Sequence, residues 1–143
     1  MTTSVLSKNE QIFLEKVMDK AGLPDIYDAR SLTNIVFRTM RDLMTNKTDK
    51  DVQEAFSDAN LENLWEDDNP FVSFLSHFRA PLNIDSETFL RRIEQEGGLP
   101  EKAKADAVVI AVFSTAREAL PQEEIERIGD RLPEALKIMW EQI

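Results

Sequence analysis

Between residues 32 and 43 the apolar side chains recur with the period of an α-helix. Leu32, Ile35, Val36, Thr39, Met40 and Leu43 stand at i, i+3, i+4, i+7, i+8 and i+11, which puts them on one face. Upstream, Phe13, Leu14 and Val17 form the inner face of a predicted helix from about Ser7 to Ala21. Ser7-x-x-Glu10 is the pattern of a capping box at its start. Gly22 supplies a C-terminal stop with Pro24 close behind. Downstream, Thr48-x-x-Asp51 again resembles a capping box and predicts a third helix from near Thr48, with Val52, Phe56, Ala59 and Leu64 as its apolar face.

The second half of the chain repeats this pattern. Phe13-Leu14 and Gly22-Leu23-Pro24 return as Phe89-Leu90 and Gly98-Leu99-Pro100, and 89 − 13 = 98 − 22 = 76. The same offset pairs Ala29 with Ala105, Val36-Phe37 with Val112-Phe113, Thr39 with Thr115 and Arg41 with Arg117. From Phe13 to Met44 against Phe89 to Leu120 there are 10 identities in 32 gapless positions. Unrelated segments would share roughly two, so duplication of one supersecondary unit is the expectation. Trp65 and Trp140 fall into line at an offset of 75, after a one-residue gap.

The second copy predicts a helix from Asp85 to Glu96 ending at Gly97-Gly98, and another from Ala105 to Leu120. Within the latter, Ala107-Val108-Val109-Ile110-Ala111-Val112-Phe113 alone fits a buried strand as well as a helix. The helical period of its counterpart decides for helix. A third helix starts at Pro121, and Leu132-Pro133 breaks or kinks it, because proline removes a helical hydrogen bond. Phe71, Phe74, Leu75 and Phe78 lie at helical spacing and predict a short connecting helix, followed by a loop at Ala80-Pro81. The fold predicted is all-α: a single domain over residues 1–143, a compact bundle of about seven helices from two tandem three-helix repeats with pseudo-two-fold symmetry. Repeat one covers about 7–66, the connecting helix about 70–79 and repeat two about 85–143.

Composition agrees with a packed domain: 42% hydrophobic and 31% charged residues, with only four Gly and six Pro in 143. A chain of this length buries about two-thirds of its unfolded surface. With no cysteine, disulfides, thiolate catalysis, Cys-ligated zinc and iron–sulfur clusters are excluded, and a reducing compartment is suited. Met1 to Lys8 lacks the basic start and apolar run of a signal peptide. The apolar run from Ala107 to Phe113 falls well short of the roughly 20 residues of a membrane helix. The net charge of −10, with scattered Lys and Arg and one tight pair at Arg91-Arg92, argues against nucleic acid, whose phosphates demand a basic surface. The expectation is a cytoplasmic protein that engages neither nucleic acid nor membrane.

Phe13-Leu14-Glu15-Lys16-Val17, Gly22-Leu23-Pro24-Asp25 and Ala29 through Val36-Phe37 to Arg41-Asp42-Leu43, with their second copies, resemble the prokaryotic domain of unknown function family 2267. The second copy is the closer, through Ala111-Val112-Phe113, Arg117-Glu118-Ala119-Leu120-Pro121 and Arg131-Leu132-Pro133-Glu134-Ala135-Leu136. The likeness runs through nearly the whole chain after about residue 9. It departs at the third helix of the first copy, where Asp58-Ala59-Asn60-Leu61 replaces a Leu-Pro step. The resemblance implies an all-α fold and carries over no functional residue.

Candidate chemistry is sparse. His77, the sole histidine, has Ser73 four residues before it but no orienting acid nearby, and no Glu-x-x-His spacing exists for a metal. Glu66-Asp67-Asp68-Asn69 and Asp49-Lys50-Asp51 lack the glycine and distal Glu of a calcium loop. They read as solvated helix ends. Glu123, Glu124 and Glu126 suit the first turns of a helix. Trp65 and Trp140, repeated in both copies, read as packing residues in preference to partner anchors. One glycine in each of Gly22-Leu23-Pro24 and Gly98-Leu99-Pro100 makes a turn and no phosphate cradle. No catalytic, cofactor-binding or metal-binding residue is assigned, and no cofactor.

One asymmetry bears on partners. Thr33, Asn34 and Arg38 in the first copy become Val109, Ile110 and Ser114 in the second. The second central helix is therefore apolar around most of its circumference. Its extra face is covered either by the connecting helix, the favoured reading, or by a protein partner or second subunit. The function expected is a non-enzymatic protein-interaction or adaptor module. The alternatives are a homo-oligomeric scaffold or stress-related structural protein and, behind it, a small-molecule or metal-binding bundle.

Overall fold

The computed structural model describes residues 6–66 and 81–142, and every regular element among them is helical. The first half holds α1 (Lys8–Ala21), α2 (Ile26–Asp42), α3 (Asn46–Asp58) and the short α4 (Glu62–Trp65). The second holds α5 (Ser86–Gly97), α6 (Lys102–Ala119), α7 (Gln122–Arg131) and α8 (Glu134–Gln142). The starts of α2 and α6, and of α3 and α7, are separated by the sequence offset: 102 − 26 = 122 − 46 = 76. The apolar run Ala107–Phe113 lies inside α6 and is helical.

Local signals explain the boundaries. Ser7 caps α1, and Glu10 reaches back to close the capping box. Gly22 (φ 67°) and Gly98 (φ 63°) end α1 and α5 in the left-handed conformation that glycine takes without a Cβ clash. The following residues then turn back, Leu23 N–H donating to the Met18 carbonyl and Leu99 N–H to that of Glu94, both at 2.9 Å.

Three expectations need correction. The third helix of the first half begins at Asn46, with Thr45 as its cap, and Thr48 is the residue whose N–H Thr45 accepts. That helix does not continue to Leu64. It ends at Asp58, and Asn60 takes a φ of 61°, which asparagine tolerates better than most side chains, before α4 begins. Both halves therefore break their third helix, at Asn60 in one and at Leu132-Pro133 in the other. The described residues accordingly carry eight helices, where about seven were expected with the connector included. In the second half, Pro121 is the cap and not the first helical residue. The predicted connecting helix lies outside the described residues.

The halves interlock: α1 packs on α6, α2 on α5, and α3 touches α7. Their buried side chains form one hydrophobic cluster. Within it, contacts recur at the repeat spacing. Phe37 meets Trp65, and Phe113 meets Trp140, each with ring centroids 5.1 Å apart. Arg41 lies over Trp65, and Arg117 over Trp140, each at 5.8 Å from the ring centre. The hydroxyls of Thr39 and Thr115, buried in the central helices, donate to the carbonyls four residues back. Ion pairs also cross between halves, from Lys16 and Lys20 to Glu118, Arg92 to Asp42 and Arg127 to Asp51. Gly97 allows α5 to approach α2, since a Cβ there would stand 2.6 Å from the Leu32 side chain.

Candidate functional site

The halves differ where the first helix of each meets the break in its third. In the first half this junction is clasped shut. Ser7 Oγ donates to the Asn60 carbonyl at 2.7 Å, and Asn9 Nδ2 to that of Ala59 at 3.1 Å. The carboxylate of Glu10, fully buried, accepts from Asn63 N–H at 2.8 Å, Asn63 Nδ2 at 3.1 Å and Ser7 N–H at 2.7 Å. A buried carboxylate is tolerated there because donors replace its lost water.

In the second half the same positions carry different side chains. Glu10 becomes Ser86 at the offset of 76, and Asn63 becomes Ile138 at the offset of 75 that aligns the tryptophans. Serine accepts one hydrogen bond from across the junction where Glu10 accepts two, and the isoleucine side chain has nothing to donate. Among the described residues, the gap is spanned by Leu136 N–H donating to Ser86 Oγ at 3.3 Å. A groove of about 770 Å³ opens there. Its apolar lining comes from Ile84, Leu90, Ala135 and Ile138, and its rim carries Asp85, Glu87 and Glu134 against Lys102. Ile138 is 47% exposed. The hydroxyl and the backbone N–H of Thr88 hold the Asp85 carboxyl below its ordinary value of 3.8, so it is charged at neutral pH. Glu87 shares its charge with Arg91 at 2.9 Å.

Among the described residues, three further large apolar side chains are exposed. Ile12, 40% exposed, borders a smaller cavity of about 360 Å³ between α1 and α6, beside Lys16 and Glu118. Tyr27 projects from the first turn of α2. Ile110 is 44% exposed while its neighbour Val109 is fully buried. The extra apolar face of α6 is thus divided, one residue inside and one at the surface. The Phe71–Phe78 segment favoured to cover it lies outside the described residues.

The remaining candidates fall where the fold uses them structurally. Trp65 and Trp140 are buried, their Nε1–H groups donating at 2.8 Å to Asp49 Oδ1 and to the Ile125 carbonyl. Asp49 is therefore the partner of a core indole, and Asp51 that of Arg127. Glu123 and Glu124 sit in the first turn of α7 and also pair with Arg127, and Glu126 accepts from Gln122. Burial pushes the Glu124 carboxyl above its ordinary value; Arg127 opposes that shift, while Glu123, Asp51 and Glu54 add to it. Glu66 accepts from Gln53. His77, Asp67, Asp68 and Asn69 lie outside the described residues. Among the described residues, no group of three or more His, Cys, Asp or Glu is placed to hold a metal ion, and no helix is long and apolar enough to cross a membrane.

Glu10 with Asn63, and Ser86 with Ile138, went unnoticed in sequence. The offset of 75 established by the tryptophans was the one signal that could have aligned Asn63 with Ile138. A family model described as "Uncharacterized conserved protein (DUF2267)" matches residues 10–139. No curated protein matches the chain.

Proposed function

The chain belongs to the DUF2267 family of uncharacterized conserved proteins, and from this chain's own surface we propose that it is a non-enzymatic protein-interaction module. The observation that carries this reading is the groove between α5 and α8. It sets a half-exposed isoleucine among apolar neighbours on helices whose remaining large side chains are packed. Single exposed apolar residues are ordinary on a folded surface, but one that lines a concave, partly apolar recess is placed to bury against something. The helices on either side are anchored in a common core, so the recess is preorganised and binding costs little ordering of the backbone.

Partners bearing phosphate backbones suit a charge of −10 poorly. A cysteine-free composition fits a reducing interior, and the compartment proposed is the cytoplasm. A homo-oligomeric scaffold is the second reading, favoured by Ile110 at the surface of α6. Affinity purification of the tagged chain from its native cell tests the first reading. A stoichiometric protein in the eluate, retained through gentle washing, is the expected result. Elution of the chain alone, or only with further copies of itself, would overturn it.

A further inference from the structure

We infer that the groove between α5 and α8 is a docking site for a basic amphipathic segment of another protein, opened by loss of the clasp that closes the equivalent junction in the first half. The inference rests on the interaction reading above and specifies its site and partner chemistry.

The comparison between halves carries the argument. The first half shows what this junction looks like when it is complete in itself: a buried carboxylate at position 10, an asparagine at position 63, and hydrogen bonds holding the helices together. The second half has kept the helices, the αL glycine stop, the tryptophan and its arginine. At the positions of Ser7, Asn9, Glu10 and Asn63 it presents Asn83, Asp85, Ser86 and the half-exposed Ile138, its first helix starts two residues later in the repeat, and a groove lies beside the Leu136–Ser86 hydrogen bond. The chain's own packing therefore provides a closed form of the site, and nothing among the described residues fills the open one.

Charge selects the occupant. The rim bears three carboxylates, Asp85, Glu134 and the Arg91-paired Glu87, against Lys102, on a chain of net charge −10. A second copy would bring the same excess negative charge to an acidic rim, which disfavours self-docking. A segment that places leucine-like side chains on one face and Lys or Arg on its flanks satisfies both parts of the groove. Its apolar face covers Ile84, Leu90, Ala135 and Ile138, and its cations meet the rim. This is the helix-in-groove mode of recognition.

The test uses a fluorescein-labelled synthetic peptide of leucines and lysines at helical spacing, and its counterpart with glutamate in place of lysine, titrated with the full chain. The lysine peptide is expected to bind, more weakly as salt rises, and the glutamate peptide not to bind. Two variants report on the site: Ile138→Asn alone, and Ser86→Glu with Ile138→Asn, which installs two of the four side chains of the first-half clasp. Each should lower affinity by at least about tenfold, since an isoleucine no longer buries against the ligand. Both should keep a cooperative thermal melt, because Ile138 is half-exposed already. Equal binding by wild type and both variants would reduce the effect to general attraction by an acidic body, and absence of binding by the wild type would also overturn the proposal. So would doubling of the wild-type mass in sedimentation that Ile138→Asn abolishes, which would make the occupant a second copy. If the tagged chain retains a native partner after Ile138→Asn, the groove is the wrong site while the interaction reading stands. If no partner is found for the wild type either, both fall.

Discussion

Replacing Glu10 by alanine tests the clasp where it is complete. On an exposed helix end, a capping-box glutamate contributes little beyond the cap itself, and losing a cap costs about 0.5–2 kcal/mol. Glu10 is in a different position. It is fully buried, and its carboxylate accepts from Ser7 N–H within α1's own cap and from both donors of Asn63, which lies 53 residues away at the start of α4. Alanine leaves the half-buried Ser7 and Asn63 backbone N–H groups without acceptors, and an orphan donor costs up to about 1–3 kcal/mol when fully buried. Water entering the space relieves part of this, so the sum expected is roughly 2–5 kcal/mol. The assay is urea unfolding, read as a fall in midpoint at unchanged slope. Amide exchange at Asn63 provides a local readout, with protection in wild type and its loss in the variant. Ser7→Ala, which keeps the Glu10–Asn63 link, should cost only the cap and the bond to Asn60. A cost for Glu10→Ala below about 1 kcal/mol would refute the reasoning, since it would mean the carboxylate acts as a solvated cap and nothing more.

Thr33 is fully buried and its hydroxyl has no partner among the described residues, while its counterpart in the second half is Val109, also fully buried. Thr33→Val should therefore stabilise the protein by about 1 kcal/mol, and a lower melting temperature would show that the hydroxyl is hydrogen-bonded. Glu124 has its pKa raised above the ordinary 4.5, chiefly by burial, so the fold favours its protonated form. Its contribution to stability is present below the unfolded value and is lost as pH rises through the folded one. Glu124→Gln should accordingly be more stable than wild type at neutral pH, with the difference closing in acid; a constant difference across the pH range would contradict this. Asn60 holds a φ of 61° at the α3–α4 break. Asn60→Ala should cost about 1–2 kcal/mol in urea unfolding while Asn60→Gly costs little, and equal effects would show that the backbone there is not constrained.

The helices and their ends were legible wherever a local signal decides the structure. Ser7 with Glu10, the αL stops at Gly22 and Gly98, and the apolar stripe of α2 each act within one or two turns, and each lies where its pattern placed it. The apolar run in α6 was ambiguous alone and was resolved by its repeat. The failures share a cause. Thr45 and Thr48 are both plausible caps three residues apart, and choosing between them depends on where Met44 and Val52 meet the core. The break at Asn60 carries no proline or glycine; it rests on one asparagine tolerating a conformation that its sequence does not demand. The second role of Glu10 depends on a residue in another helix and has no local signature at all.

The same reasoning explains why the groove was invisible from composition or periodicity. Ser86 is an ordinary first-turn residue, and Ile138 sits among apolar side chains in a helix where Leu136 and Trp140 are core. Neither is unusual until it is set against Glu10 and Asn63. A carboxylate buried by its partner and an isoleucine left half-exposed are opposite answers to one geometric problem, a first helix meeting a broken third helix. The first answer fills the junction with polar atoms that satisfy one another and has no further demand on solvent or partner. The second leaves apolar surface that gains free energy only when something covers it. The Phe–Trp and Arg–Trp contacts recur at matching distances in the two halves, while the segments after the break differ, Glu62–Trp65 in one and Glu134–Gln142 in the other. Glu10 and Asn63 against Ser86 and Ile138 are the part of that difference that places apolar surface at the junction, and exchanging those two side chains is the smallest change that tests their share.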